Sequence, residues 1–196
     1  EMCIRDSSMA NVLYGHKDTH KISLQTIIQH TLSVKKGIKK SLLVVDMPKG
    51  SYSNKRLALK NARKIMNLTR CDAVKIESNK KNFSIIYELV KAKIPVMGHI
   101  GFTPQFQKKF KIQGDSINAI NKLLKEALTI EKAGAFSIVL ECLTPKASML
   151  ITNNLKIPTI GIGSSSNCDG QILVTDDMLG MSGFYPKFVK KYALLN

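Results

Sequence analysis

Leu42-Leu43-Val44-Val45-Asp46 is an unbroken apolar run, rich in β-branched residues, that stops on a carboxylate. A strand with one wet face alternates apolar and polar residues. Continuous apolar character instead marks a strand covered on both faces, as in a parallel sheet layered with helices. The same design recurs in Ala73-Val74-Lys75-Ile76-Glu77, Val96-Met97-Gly98-His99-Ile100, Ser137-Ile138-Val139-Leu140-Glu141 and Thr159-Ile160-Gly161-Ile162-Gly163. Ile172-Leu173-Val174 is a weaker sixth candidate.

Between these runs the apolar period lengthens to three and four residues. Ser116 precedes Ile117, Ile120, Leu123, Leu124, Ala127, Leu128 and Ile130, which describes a capped amphipathic helix that Gly134 stops. Further helices are read from Ile27 to Lys36, from Asn54 to Leu68 and from Phe83 to Ala92, and Pro145 suits the first turn of one more. The order αβαβαβαβαβ, with the weak strand to follow, makes a parallel sheet that is either doubly wound or closed into a barrel. No Pro-, Gly- or Ser-rich linker interrupts it, and 196 residues suit a single domain.

Composition narrows the class. With 44% hydrophobic and 22% charged residues the chain is neither disordered nor fibrous. No apolar run reaches the roughly 18 residues of a membrane span, so no membrane role is expected. Cys3, Cys71, Cys142 and Cys168 show neither a Cys-x-x-Cys pair nor dense spacing, which fits buried thiols in a reducing cytoplasm. The net charge of +16 suggests a polyanion partner. Yet only Arg5, Arg56, Arg63 and Arg70 among the 30 cations are Arg, and there is no Trp to stack on a base. The lysines are read as solvated helix faces, and nucleic acid is set aside as a partner.

The strand ends carry the chemistry. Asp46, Glu77, His99 and Glu141 each stand at or next to the last position of a strand, and Lys75 lies two residues before Glu77 on the same face. Any one acid there could cap the next helix. In a barrel, however, the C-terminal strand ends meet at one mouth, and this set has the parts of a metal-assisted acid/base site. Gly161-Ile162-Gly163-Ser164-Ser165-Ser166 is read as a tight turn near that mouth rather than a phosphate cradle.

From these positions outward the chain resembles the ketopantoate hydroxymethyltransferase family over nearly its whole length. The resemblance rests on Val45-Asp46-Met47-Pro48 with Gly50-Ser51-Tyr52, on Val74-Lys75-Ile76-Glu77, and on Pro95-Val96-Met97-Gly98-His99-Ile100-Gly101-Phe102-Thr103-Pro104-Gln105. It continues through Ala133-Gly134-Ala135-Phe136, Leu140-Glu141-Cys142, Ile157-Pro158-Thr159-Ile160-Gly161-Ile162-Gly163, Cys168-Asp169-Gly170-Gln171, Asp177-Met178-Leu179-Gly180 and Pro186-Lys187-Phe188-Val189-Lys190.

The resemblance implies a (β/α)8 TIM barrel that moves a hydroxymethyl group from 5,10-methylenetetrahydrofolate to 2-oxoisovalerate in pantothenate synthesis. It implies Mg²⁺ or another divalent cation, and a homo-oligomer that in the full-length family is typically a decamer. By the same resemblance Asp46 and Glu77 match the metal-site acids, and Asp46, Lys75, His99 and Ser8 stand on the substrate side. Glu141 matches the general base. The rival reading is a Mg²⁺-dependent 2-oxo acid lyase or mutase of the isocitrate lyase and phosphoenolpyruvate mutase type. Those carry a reactive Cys in a mobile loop, and none of the four cysteines lies in such a motif.

The N-terminus departs from the pattern. The family has Gly-Asp-Ser at the end of its second strand, where this chain reads Ile4-Arg5-Asp6-Ser7-Ser8. Val12-Leu13-Tyr14-Gly15-His16 fits best with Ser8 as the family Ser, which puts Ser7 where the metal-binding Asp belongs. Asp6 could serve only through a one-residue insertion. Residues 1–7 are therefore expected to be a foreign leader without strand character, and residues 8–196 a partial barrel. That barrel would lack the first strand and most of the second, with its last helix clipped. Sheet edges left open in this way predict a chain that by itself is poorly soluble or inactive.

Overall fold

A computed structural model of the chain describes residues 1–79, 82–107, 109–182 and 186–195. Seven strands follow in chain order: β1 (Met2–Arg5), β2 (Leu42–Asp46), β3 (Ala73–Glu77), β4 (Val96–Gly101), β5 (Ser137–Glu141), β6 (Thr159–Ile162) and β7 (Gly170–Gln171). Each pairs in parallel with the next, so spatial order equals sequence order. The helices are α1 (Met9–Val12), α2 (Leu24–Gly37), α3 (Lys55–Thr69), α4 (Phe83–Lys91), α5 (Ile117–Lys132), α6 (Pro145–Asn154) and α7 (Thr175–Met178).

Alternation along each strand divides the apolar side chains between two layers. Leu43, Val45, Val74, Ile76, Val96, Ile100, Ile138 and Leu140 pack outward against Ile27, Ile65, Ile86, Leu89 and Ile130 of the helices. Val44, Ala73, Met97, Val139 and Ile160 form a second cluster, joined by Met2 and Ile4 at one end of the sheet and Ile172 at the other. Ile4 and Ile172, from opposite ends of the sheet, also line one cavity, so the sheet curls and the second cluster is the interior of an incomplete barrel. Among the described residues β1 and β7 are not paired with each other.

Local signals explain the helix boundaries. Side-chain oxygens of Asn54, Ser116 and Thr144 accept from the backbone N–H groups of Leu57, Ala119 and Ala147, capping α3, α5 and α6. Pro145 occupies the first turn of α6. Ser23 accepts from Thr26 N–H in the same way, so α2 begins earlier than its apolar period indicates.

Three expectations need correction. Met2–Arg5 is a strand, paired Met2↔Leu42 through Arg5↔Val45, although it shows little strand character in sequence. Its pattern is faint because only Met2 and Ile4 face the interior, and the pairing with β2 supplies what the pattern lacks. The last strand is Gly170–Gln171 rather than Ile172–Val174. Ile172, Leu173 and Val174 wall a cavity, while the small Gly170 fits against Ile160. Residues 192–195, expected to lead into the clipped last helix, are not helical.

Candidate functional site

The parallel order brings Asp46, Lys75, Glu77, His99 and Glu141 to one rim. Asp46 stands beside Lys75 in the β2–β3 register, Glu77 beside His99 in β3–β4, and Gly101 beside Glu141 in β4–β5. At the centre the Lys75 ammonium donates to Asp46 Oδ1 at 2.7 Å and to Asp6 Oδ2 at 2.8 Å. Lys75 and Asp46 are buried, whereas the Asp6 side chain is 31% exposed. The Ser7 N–H donates to Asp46 Oδ2 at 3.1 Å and the Ser8 N–H to Asp6 Oδ1 at 2.8 Å. The expected leader is thus built into the site through Asp6 and the backbone of Ser7.

Burial opposes charge on these groups, and their neighbours decide the outcome. Burial pushes Asp6 up, but the adjacent ammonium outweighs it and holds the carboxyl at about 2. Burial pushes Asp46 above the usual carboxylate range against the pull of Lys75, and the Asp6 charge adds to the rise. Burial would lower Lys75, yet Asp46, Asp6 and Glu77 together raise it well above an ordinary lysine, so it remains an ammonium. Burial likewise drives Glu77 well up, with Lys75 pulling the other way. One ammonium faces three carboxyl groups, and burial raises the two deepest.

Glu77 and Asp46 share a further partner. The Gln105 N–H donates to Glu77 Oε2 at 2.9 Å, and its side-chain amide donates to Asp46 Oδ2 at 3.3 Å and to the Met47 carbonyl at 3.0 Å. The Tyr52 hydroxyl donates to Gln105 Oε1 at 2.6 Å. Glu77 Oε1 is buried without a partner among the described residues. Gln105 and Tyr52 lie in quoted motifs but were given no role by sequence reasoning. Both sit in loops, where no periodicity signals which way a side chain turns.

His99 Nε2 lies 3.1 Å from Glu141 Oε2, an ion-pair distance, but off the line of a hydrogen bond. His99 is buried, and the Glu141 side chain is 15% exposed at the mouth. Ser164, in the turn after β6, holds the neighbouring backbone: its hydroxyl donates to the Leu140 carbonyl at 2.6 Å and accepts from the Leu143 N–H at 3.1 Å. Gly163 begins that turn with φ +58°. The tight turn read from sequence is present, and Ile162 just before it lines the cavity.

A cavity of about 400 Å³ opens over these groups. Arg5, Asp6, Ser8, Lys75, Glu141, Thr175 and Asp176 supply its polar wall, and Ile4, Met9, Val139, Ile162, Ile172 and Leu173 much of its apolar wall. Asp46, Glu77 and His99 stand behind that wall rather than on it. Ser8 opens α1 without a side-chain cap bond, which leaves its hydroxyl available to the cavity.

The carboxylates of Asp6 and Asp46 are hard oxygen donors of the kind that hold Mg²⁺ together with water and substrate oxygens. Glu77 keeps one buried oxygen without a partner among the described residues. Among the described residues no three of His, Cys, Asp and Glu converge as a ready metal cage. Asp6 and Asp46 already hold the Lys75 ammonium, so a cation held by these two carboxylates would share them with it and take its other ligands from water and substrate oxygens.

Comparison with known proteins completes the picture. Residues 1–196 match the family model described as Ketopantoate hydroxymethyltransferase. The chain is 47% identical over 193 residues to the 3-methyl-2-oxobutanoate hydroxymethyltransferase of Pelagibacter ubique, covering 98% of this chain and 75% of that protein. It is 49% identical to the protein of the same name from Clostridium botulinum, covering 96% and 70%. Among solved structures it is similar to 2,3-dimethylmalate lyase, a PEP mutase/isocitrate lyase superfamily member. That likeness has a TM-score of 0.64 at 13% identity, covers 85% of this chain and 65% of that one, and is one of fold.

Proposed function

The chain belongs to the ketopantoate hydroxymethyltransferase family, and we propose that it transfers a hydroxymethyl group to 3-methyl-2-oxobutanoate (2-oxoisovalerate), giving ketopantoate for pantothenate synthesis. The observation that carries the reading is a single cavity with an ammonium, Lys75, and a partly exposed carboxylate, Glu141, set among apolar side chains. That combination matches a small branched 2-oxo acid. Lys75 receives its carboxylate, Val139, Ile162 and Ile172 cover its isopropyl group, and Glu141 faces the carbon that must lose a proton.

Glu141 acts as general base at C3 of the oxo acid. His99, 3.1 Å from Glu141 Oε2, orients the carboxylate toward the cavity. The resulting enolate carbon bonds to the methylene carbon of 5,10-methylenetetrahydrofolate, the donor in this reading; both carbon–nitrogen bonds of that methylene break, one water supplies the hydroxyl oxygen, and the C3 proton and a water proton end on the two nitrogens of tetrahydrofolate. Asp46 and Asp6, with Glu77 behind, would hold a divalent cation, whose charge favours proton loss beside the oxo group. Lys75, pinned between the two aspartates, keeps its ammonium where the substrate carboxylate arrives.

A cytoplasmic location accords with four free thiols, and no helix among the described residues is long and apolar enough to cross a membrane. Self-association into a homo-oligomer is part of the same reading and rests on family membership. The lyase or mutase alternative draws on shared fold alone.

The test is product formation from 2-oxoisovalerate and the folate donor by the chain completed to the length of its curated relatives, and by its Glu141→Gln and Asp46→Asn variants. Both substitutions are expected to lower turnover by at least about 100-fold, the scale of a lost general base or a misplaced reactive group. Near-parental turnover in both would remove the assignment.

A further inference from the structure

Gln105 is fully buried in the loop after β4, and its polar groups reach three separate parts of the chain. Its orientation is fixed by chemistry. The amide nitrogen has two acceptors, Asp46 Oδ2 and the Met47 carbonyl, while the amide oxygen faces the Tyr52 hydroxyl. Turning the amide over would set its oxygen against a carboxyl and a carbonyl oxygen, which neither could satisfy. Tyr52, itself buried and edge-on to Phe106, holds the amide from behind.

The consequence falls on the acids. Gln105 engages Asp46 Oδ2 through its side chain and Glu77 Oε2 through its backbone, and leaves Asp46 Oδ1 to Lys75 and Glu77 Oε1 with no partner among the described residues. From two acids on two strands it selects which oxygen is occupied and which is free. We infer that Gln105, braced by Tyr52, is a positioning residue that orients Asp46 and Glu77 for the oxo acid and its divalent cation. The inference rests on the function proposed above. It adds a specific role for a loop amide that touches neither substrate nor reacting atoms.

Gln105→Leu removes the amide while keeping volume and the backbone N–H that holds Glu77. Partners that orient a metal ligand are worth about 10- to 100-fold in affinity or activity. Gln105→Leu is therefore expected to weaken Mn²⁺ binding, followed by water proton relaxation, by at least about tenfold, and to lower kcat on a similar scale with a smaller change in KM. Tyr52→Phe, which removes one hydroxyl, is expected to shift the same quantities in the same direction by a few-fold. Circular dichroism well below the melting point keeps the comparison to folded protein.

Gln105→Leu that is folded and within about twofold of the parent in both Mn²⁺ affinity and kcat overturns the inference. If Gln105→Leu does not fold, Tyr52→Phe decides: unchanged Mn²⁺ affinity overturns the inference, and weakened affinity supports it. A parent that binds Mn²⁺ but forms no product overturns the proposed function, while the Mn²⁺ comparison still decides the role of Gln105. A parent that binds no Mn²⁺ overturns this inference.

Discussion

Gly101 and Glu141 lie side by side across β4 and β5, so close that a Cβ on Gly101 would collide with the Glu141 carbonyl oxygen. Gly101 has φ +94°, a conformation L side chains rarely adopt, and the next N–H, of Phe102, donates to that same carbonyl at 2.9 Å. Cys142 follows at φ +55°, with its N–H on the Ile162 carbonyl and its own carbonyl accepting from Gln113 N–H. The backbone on either side of the proposed base is pinned by three loops and strands. Gly101→Ala is expected to add about 1–2 kcal/mol of backbone strain and to move Glu141. Turnover should drop about 100-fold. Steady-state kinetics with a thermal melt checks this, and parental turnover would contradict it.

Lys75→Met should be more damaging to stability than any surface substitution. Removing the ammonium leaves Asp46 and Asp6 facing each other without a counter-charge, a loss of about 3–5 kcal/mol at neutral pH. The sign of the pH response distinguishes the cause. In the parent, Asp6 is held at about 2, below its ordinary 3.8, so its contribution is present above that range and lost as pH falls through about 2. In Lys75→Met the carboxyls are raised instead, so the gap to the parent should narrow as pH falls below 4. Denaturant unfolding at pH 7 and pH 3 measures it, and a gap of constant size would count against the ion-pair explanation.

Asn54→Ala provides the opposite case. Its side chain caps α3 through the Leu57 N–H at 2.9 Å, at the exposed start of a helix none of whose residues lines the cavity. The loss should be about 1 kcal/mol of stability. Turnover at temperatures well below the melt should be unchanged, so a substantial fall would show that α3 communicates with the site.

The thiols should differ sharply in reactivity. Cys71, Cys142 and Cys168 are buried, and burial raises all three; Cys142, with the Glu141 charge adding to the rise, reaches about 12. Cys3 is half-buried on β1. A disulfide reagent at pH 8 should therefore modify Cys3 first and the other three at the rate of unfolding. Because Cys142 is raised, its stabilising effect is whole below about 9 and is lost as pH climbs toward 12. Mass spectrometry of timed samples identifies the labelled residues, and Cys142 labelled as fast as Cys3 would refute the buried environment.

What could be read in advance followed from periodicity. β2 through β6 stand out because strands covered on both faces are apolar throughout, and Asp46, Glu77, His99 and Glu141 stand out as the polar residues that end them. β1 is hidden because Met2–Arg5 offers only two interior side chains and depends on β2 for its pairing. The partner of Lys75 was hidden as well. Spacing sets it beside Glu77 on one strand face, whereas the hydrogen bonds go across to Asp46 and to Asp6, 69 residues away. Gln105 was less legible still, since its meaning lies in two acids from other strands and a tyrosine 53 positions earlier.

The in-order parallel sheet also has a consequence in time. One wall of the cavity comes from residues between Ile4 and Leu13 and the opposite wall from Ile172 to Asp176, so nearly the whole chain must be laid down before the two can face each other. At synthesis rates of about 5–20 residues per second, the first wall waits many seconds for the second. During that interval Lys75 and its acids lie open to water on a growing sheet edge. A ligand that needs both walls can stabilise only the completed fold, and it does so by mass action after assembly rather than by guiding it.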